Sequence, residues 1–174
     1  YHDYEGMNNI KTINDNAGIQ PVKVDEEIIE LLKLGITMDE KTDGNMNIAM
    51  GSVLSIWHDY REAGSEDPGS AELPPMDELE RAAEHTDIHN IVIDEEASTV
   101  YLTDPDMSLD VGSIGKGYAV QKVAEYAKNE LGIQYMLFSV GGNVCAIGGH
   151  PDGSAWAVGI QNPDVESDQA YIKK

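Results

Sequence analysis

Cysteine is all but missing from this 174-residue chain: Cys145 stands alone, so no disulfide can form within it. Its neighbours Val144, Ala146 and Ile147 are apolar, and they support a buried small residue in a strand over a reactive thiol. Cations are scarce too. Eleven Lys+Arg stand against 32 Asp+Glu, a formal net charge of −21 with a pI near 4.3. Nucleic-acid binding needs a net basic face, so that class is excluded. Unaided attachment to an anionic membrane is disfavoured for the same reason. No run approaches about 18 apolar residues, so no transmembrane segment is expected in this chain. Residue 1 is Tyr and no signal peptide is visible. The chain therefore reads as a processed or engineered segment, and its lack of a targeting sequence carries no argument about location.

What is there is ordinary globular composition, 41% apolar and 25% charged. Asp25, Glu26 and Glu27 open a helix with an acidic first turn, and Ile28, Ile29, Leu31, Leu32 and Leu34 give it an apolar face. The pattern extends to Glu40, with Gly35 as a weak point. A turn follows at Thr42–Asn47, then a less polar run from Ile48 to Trp57. Residues 61–75 read as a loop, and Met76 to His85 as a helix with Pro75 at its start. Ile91–Ile93 and Val100–Leu102, split by the acidic turn Asp94-Glu95-Glu96, predict a hairpin. Asp110 to Gly117 reads as a glycine-rich turn. Tyr118 to Leu131 then reads as a helix with Val120, Val123, Ala124, Ala127 and Leu131 on one side, ended by Gly132. Tyr135–Val140, Asn143–Ile147 and Trp156–Ile160 read as strands. No 20–50-residue repeat and no boundary is seen. The expected fold class is α+β, one mixed or antiparallel sheet with packed helices, in a single domain over 1–174.

Several motifs invite chemistry. Gly112-Ser113-Ile114-Gly115-Lys116-Gly117 lacks the spacing of a nucleotide-binding P-loop, because two residues rather than four separate its glycines and Gly117 follows the lysine. Glycines running into a helix still present free N–H groups at a positive dipole end, with Lys116 adding charge. From the glycines alone, a plain tight turn is the stronger reading and phosphate binding the alternative. Asp104-Asp106-Ser108 and Asp43-Asn45-Asn47 have calcium-loop spacing, but each lacks the Gly and the Glu that such loops need later. His85 and His89 lie four apart, as helical metal ligands can; a solvated helix end is the better reading. Asp110 opens the glycine turn, where it either caps the turn or serves a site.

Asp110-Val111-Gly112-Ser113-Ile114-Gly115-Lys116-Gly117-Tyr118-Ala119 resembles the Asp-Leu-Gly-x-Ile-x-Lys-Gly-Tyr-Ala motif of the ApbE family, the FAD:protein FMN transferases. Four further segments match in order. Tyr4 through Asn14-Asp15 resembles an early Tyr…Asn stretch. Thr42-Asp43-Gly44-Asn45-Met46-Asn47 resembles the Ser/Thr-Asp-Gly-x-Phe/Met-Asp turn, with Trp57 where a Trp commonly follows. Ser139-Val140-Gly141-Gly142-Asn143 is similar to the Gly-Gly-Asp/Asn segment. Trp156-Ala157-Val158-Gly159-Ile160 with Pro163 is similar to the Trp-x-Val-Gly-Ile-x-x-Pro strand.

The resemblance implies an ApbE-like fold and a magnesium-dependent transferase of protein flavinylation. It would split FAD, its substrate, and attach FMN to a threonine hydroxyl of a target flavoprotein, releasing AMP. It implies FAD contacts at Tyr4, Asn45, Met46, Asn47, Asp110 and Lys116, and a Mg²⁺ ligand at Ser113. The family's other metal ligands, an Asp and a Thr, are expected beyond Lys174, as are the catalytic residues; an N-terminal FAD-contacting Met is missing as well. The fragment itself is thus expected to be inactive. The full-length protein is expected outside the cytoplasm, as a lipoprotein anchored at the cell membrane. Asn47 stands where the family usually has Asp, Ala49 where it often has Thr, and Gly115 where Ala is common. Two alternatives share these motifs: an FAD pyrophosphatase giving FMN and AMP, and a non-catalytic flavin-binding accessory protein.

Overall fold

The structure is a computed structural model and describes residues 6–160, 162 and 171–173. The chain packs into two compact units, Tyr1–Gly115 and Lys116–Lys174. In the first, α1 (Ile10–Asp15) is started by Asn9, whose side chain accepts from the Lys11 and Thr12 N–H groups while the Thr12 hydroxyl accepts from Asn9 N–H. β1 (Val22–Lys23) leads into α2 (Glu26–Lys41). Asp25 occupies the N-cap position of α2 but its side chain makes no capping bond, which leaves Glu26 and Glu27 to favour the positive end. Gly35 does not weaken this helix. A Cβ there would lie 2.6 Å from Ile48 Cδ1, so the glycine is the gap into which the fully buried Ile48 fits.

α3 (Gly51–Glu66) overturns the loop expected from residue 61, because the helix runs through Gly64 and Ser65 before Asp67 and Pro68 stop it. Helix-supporting pairs at four-residue spacing explain this: His58 Nε2 meets Glu62, and the Ser65 hydroxyl donates to the Arg61 carbonyl. α4 (Met76–Ala83) begins after Pro75, as the sequence suggests. β2 (Ile91–Asp94) and β3 (Thr99–Leu102) form the expected hairpin, with Ile91 opposite Leu102 and Ile93 opposite Val100. β1 joins the far edge of β3 with Val22 opposite Val100, giving the antiparallel order β1-β3-β2. Val100 and Leu102 alternate inward, as period two requires. They share a core with Ile13, Leu32, Ile48 and Leu109, and each of these six is at most 1% exposed.

The unit boundary falls inside α5 (Gly112–Asn129). This helix begins at Gly112, not Tyr118, so the glycine-rich turn is helical. Its first hydrogen bond closes from Gly115 N–H to the Val111 carbonyl at 2.7 Å. Of its expected inner face, Val120, Ala124 and Ala127 are buried, whereas Val123 and Leu131 are half or more exposed. β4 (Met136–Val140) and β5 (Asn143–Ile147) form a hairpin in full register from Met136 opposite Ile147 to Val140 opposite Asn143. Its two-residue turn, Gly141-Gly142, has φ of +54° and +87°, the left-handed pair that matches strand twist and that glycine supplies. Cys145 stands in a strand as expected but is half-buried, not buried; it packs with Phe138, Met136 and Ile133 against buried Ala124, Ala127 and Ile147. β6 (Val158–Ile160) pairs antiparallel with β7 (Tyr171–Lys173). The α+β class stands. Among the described residues the strands pair in three antiparallel sets in place of one sheet, since strands this short pair locally within their own unit.

Candidate functional site

The glycine motif's entry segment, 108–112, is held by four hydrogen bonds from separate pieces of the first unit. The Asn14 side chain grips Leu109 twice, donating to its carbonyl at 3.0 Å and accepting its N–H at 2.8 Å. Asp110 N–H donates to the Ile48 carbonyl at 2.8 Å. Gly51 N–H donates to the Ser108 carbonyl at 2.9 Å, within a parallel bridge of Met50 and Ser108. The Thr42–Asn47 turn and the Asp110 motif, distant in sequence, are thereby fastened to each other. Asn14 was not singled out as a site residue, and its spacing within the early stretch offers no signal, because its two partners are backbone atoms.

Beside this segment lies a groove of about 960 Å³. One wall is the face of α3 carrying Gly51, Leu54, Ser55, His58 and Arg61, with Trp57 beside them; the other is Ser108, Leu109, Asp110 and Gly112, with Asn14. Residues 71–73 complete the rim. Its size suits half of a dinucleotide. Gly51 is required where the walls meet, because a Cβ there would lie 2.5 Å from the Ser108 carbonyl oxygen.

The expected contact residues divide. Tyr4 and Pro163 lie outside the described residues. Asp110 lines the groove, and its Oδ1 accepts the Gly112 N–H at 2.7 Å, so it caps the start of α5 while facing the cavity. Asn45, Met46 and Asn47 do not line it. Asn45 is exposed and donates to the Thr42 carbonyl at 2.6 Å. Met46 packs on the core. Asn47 donates to the Thr86 carbonyl at 2.8 Å and accepts the Ala49 N–H at 2.7 Å. Both ends of that amide are thus in use, and Ala49 is fully buried. Ser113 is exposed in the first turn of α5. In the second unit, the exposed Lys116 lays its stem on the hairpin turn, with Cδ 3.1 Å from where a Gly141 Cβ would stand; Asn143 Oδ1 is 3.7 Å from the corresponding point on Gly117. The Lys-Gly pair and the Gly-Gly-Asn segment therefore meet. Trp156 donates from Nε1 to the Gly148 carbonyl at 2.8 Å and stacks at a tilt on His150, 3.9 Å between centroids.

Oxygen donors at the start of α5 comprise the Asp110 carboxylate and the Ser113 hydroxyl. They suit a hard cation such as Mg²⁺ but supply a minority of its about six positions. Among the described residues, the one place where three His, Cys, Asp or Glu side chains gather is His85, Asp104 and Asp106, with ligand atoms within 4.8 Å of one another. His85 Nδ1 lies 2.8 Å from Asp104 Oδ2. That hydrogen bond raises the His85 pKa and lowers that of Asp104. His85 is half-buried, so the solvated reading holds for His89, which pairs with Asp87 in the open, and not for His85. Asp104 Oδ1 accepts the Asp106 N–H, so the calcium-like spacing closes a loop.

This α+β chain has known counterparts. The chain belongs to the ApbE family, whose model matches residues 1–173. It is 28% identical over 163 residues to a FAD:protein FMN transferase of Klebsiella pneumoniae, covering 94% of this chain and 47% of that protein. It is 29% identical to the Treponema pallidum protein of that name, covering 88% and 44%. The ApbE protein of Thermotoga maritima superposes with a TM-score of 0.73 at 27% identity, over 95% of this chain and 52% of that one. The flavin transferase ApbE of Vibrio cholerae shares the fold, with a TM-score of 0.75 at 22% identity over 94% and 50%. The chain thus spans about half the length of the relatives it matches.

Proposed function

We propose that this chain is the flavin-recognising portion of a FAD:protein FMN transferase, one ApbE-like domain with its 1–174 region at the FAD site. The observation that carries this reading is the hydrogen bond from Asp110 to Ile48, which brings the Asn45–Asn47 turn and the glycine motif together beside a nucleotide-sized groove. Tyr4, Asn45, Met46, Asn47, Asp110 and Lys116 are proposed as FAD contacts, Asn47 and Met46 through the backbone they hold in place. The departures Asn47 and Ala49 do not favour a non-catalytic accessory, because packing and hydrogen bonding account for both.

In the reaction, a threonine hydroxyl of the target flavoprotein loses its proton and bonds to the FMN-side phosphorus. The pyrophosphate P–O bond breaks, and AMP departs with the bridging oxygen. Lys116 would supply a cation to phosphate oxygens, and Asp110 holds the first turn of α5 in shape by accepting the Gly112 N–H. Ser113 and Asp110 are the residues here that would hold Mg²⁺, which when bound neutralises pyrophosphate charge in a protein of −21. Among the described residues no helix is long and apolar enough to cross a membrane; lipid anchoring outside the cytoplasm is proposed from the family resemblance alone.

The test is to incubate the full-length protein with FAD and a threonine-bearing flavoprotein, then follow flavin fluorescence on the denatured acceptor and AMP release. Covalent labelling that stops with EDTA and returns with Mg²⁺ is expected. Free FMN and AMP without labelling would establish the pyrophosphatase instead, and intact FAD would refute both.

A further inference from the structure

We infer that Arg61 is the anion-recognition residue of the α3 groove, taking a phosphate oxygen of a nucleotide ligand; with FAD as that ligand, the inference rests on the function proposed above. Among the described residues, Arg61 is the one Lys or Arg lining the groove. The chain has two arginines. Arg81 is paired with Asp77 at 2.8 Å. Arg61 is treated differently: its Nη2 lies 2.6 Å from His58 Nδ1. A guanidinium is always a donor, so Nδ1 must be the bare nitrogen of a neutral imidazole. The ring proton then sits on Nε2, which faces Glu62 Oε1 at 2.9 Å. His58 therefore bridges the Glu62 carboxylate and the guanidinium. It occupies Glu62 and leaves Arg61 with its charge and most of its five N–H donors.

That is an unusual allocation in a chain with 32 carboxylates and 11 Lys+Arg. A planar fork of free donors matches a phosphate's oxygens, which an exposed arginine paired with glutamate would not. The groove supplies the rest of a nucleotide's needs. Trp57 and Leu54, each about two-fifths exposed, offer ring-sized apolar surface beside Arg61. Asp110 and Glu72 are the groove's acids, so an anionic ligand is oriented with its charge toward Arg61.

The experiment compares FAD, ADP and riboflavin binding by calorimetry in full-length wild type, Arg61→Gln and Arg61→Lys, with folding checked by circular dichroism. Arg61→Gln is expected to weaken FAD and ADP about tenfold or more, the scale of one charge-assisted hydrogen bond, and to leave riboflavin unchanged. Arg61→Lys is expected to recover part of the loss. His58→Leu frees Glu62 to pair with Arg61 and is expected to weaken FAD; adding Glu62→Gln is expected to restore it. Equal FAD affinity in wild type and Arg61→Gln overturns this inference and leaves the flavin reading intact. Riboflavin weakened as much as FAD overturns it as well, by showing a steric role. Arg61-dependent ADP binding without FAD binding overturns the flavin reading and leaves the anion site standing.

Discussion

Gly51→Ala is the sharpest probe of how the groove's two walls are joined. An added Cβ would sit 2.5 Å from the Ser108 carbonyl oxygen and 2.7 Å from its carbon. Ordinary carbon–oxygen contact is about 3.3–3.6 Å, so the backbone must move by nearly 1 Å. Backbone cannot rotate away as a side-chain tip can. The move breaks the 2.9 Å bond from Gly51 to Ser108, a loss of about 1 kcal/mol. Overpacking adds about 1–3 kcal/mol. Replacing Gly with Ala in a helix returns less than about 1 kcal/mol at its first turn. The net expectation is a destabilisation of about 2 kcal/mol, or a melting temperature lower by about 4–8 °C. Gly64→Ala in the same helix is the control. Its Cβ would meet only Ala71, at 3.2 Å from Cβ and 3.6 Å from Cα, on a rim that can give, so the gain of up to about 1 kcal/mol in helix propensity survives. Urea melts of both variants decide it. Gly51→Ala melting with wild type, or within about 0.5 kcal/mol of Gly64→Ala, would refute the claim that backbone contact sets the wall spacing.

Asn47→Asp restores the residue usual in the family, yet it is expected to destabilise by about 1–2 kcal/mol, because a carboxylate cannot donate to the Thr86 carbonyl; denaturant midpoints at pH 7 check this. Asn14→Ala strips both backbone partners of Leu109, with an expected loss of about 2–3 kcal/mol and a weaker FAD affinity, read by the same melts and by FAD titration. The His85–Asp104 pair makes stability depend on pH. The raised His85 pKa contributes stability below the ordinary imidazole value, lost as pH rises through the raised one; the lowered Asp104 pKa contributes above the ordinary carboxylate value, lost as pH falls through the lowered one. The destabilisation in Asp104→Asn is therefore expected to be largest between about pH 4 and 6.5 and to shrink by pH 9, and an equal deficit at pH 5 and 9 would show that the pair's charge is irrelevant. Met46→Asp would strike core packing as well as any ligand contact, so Met46→Ala is the cleaner variant, expected to lose about 2 kcal/mol and be read against FAD affinity in the folded fraction.

Periodicity made the β2–β3 hairpin and the strands β4 and β5 legible because each is local: β-branched or aromatic runs divided by turn residues. The start of α5 was not legible for the opposite reason. Gly112, Gly115 and Gly117 carry poor helix propensity, and what overrides it is the Asp110 cap, held by Ile48 from a distant segment. Gly35 misled in the same way. Its weakness for α2 is real locally, and only the arrival of Ile48 shows why no side chain is tolerated there. Residues 61–66 read as loop from their Gly and Ser, while the side-chain pairs that sustain the helix span its turns.

The motifs of the candidate site were legible in the sequence; their construction was not. Asp110 was found from its motif, and it does face the groove. Asn47 was read as an FAD contact, yet its amide ties two backbone segments where a carboxylate would fail. Arg61 escaped notice because residues 61–75 read as a loop, where a lone arginine among acids looks like a solvated surface charge. Its distinguishing feature is a neutral histidine placed where a carboxylate would be expected, and that shows only once His58, Arg61 and Glu62 are seen on one stretch of helix. In a protein so short of cations, the placement of one guanidinium that, among the described residues, has a histidine and no carboxylate as its partner says more about ligand charge than the net −21 does. Net charge sets the long-range field, whereas recognition depends on which donors are left free within hydrogen-bonding reach.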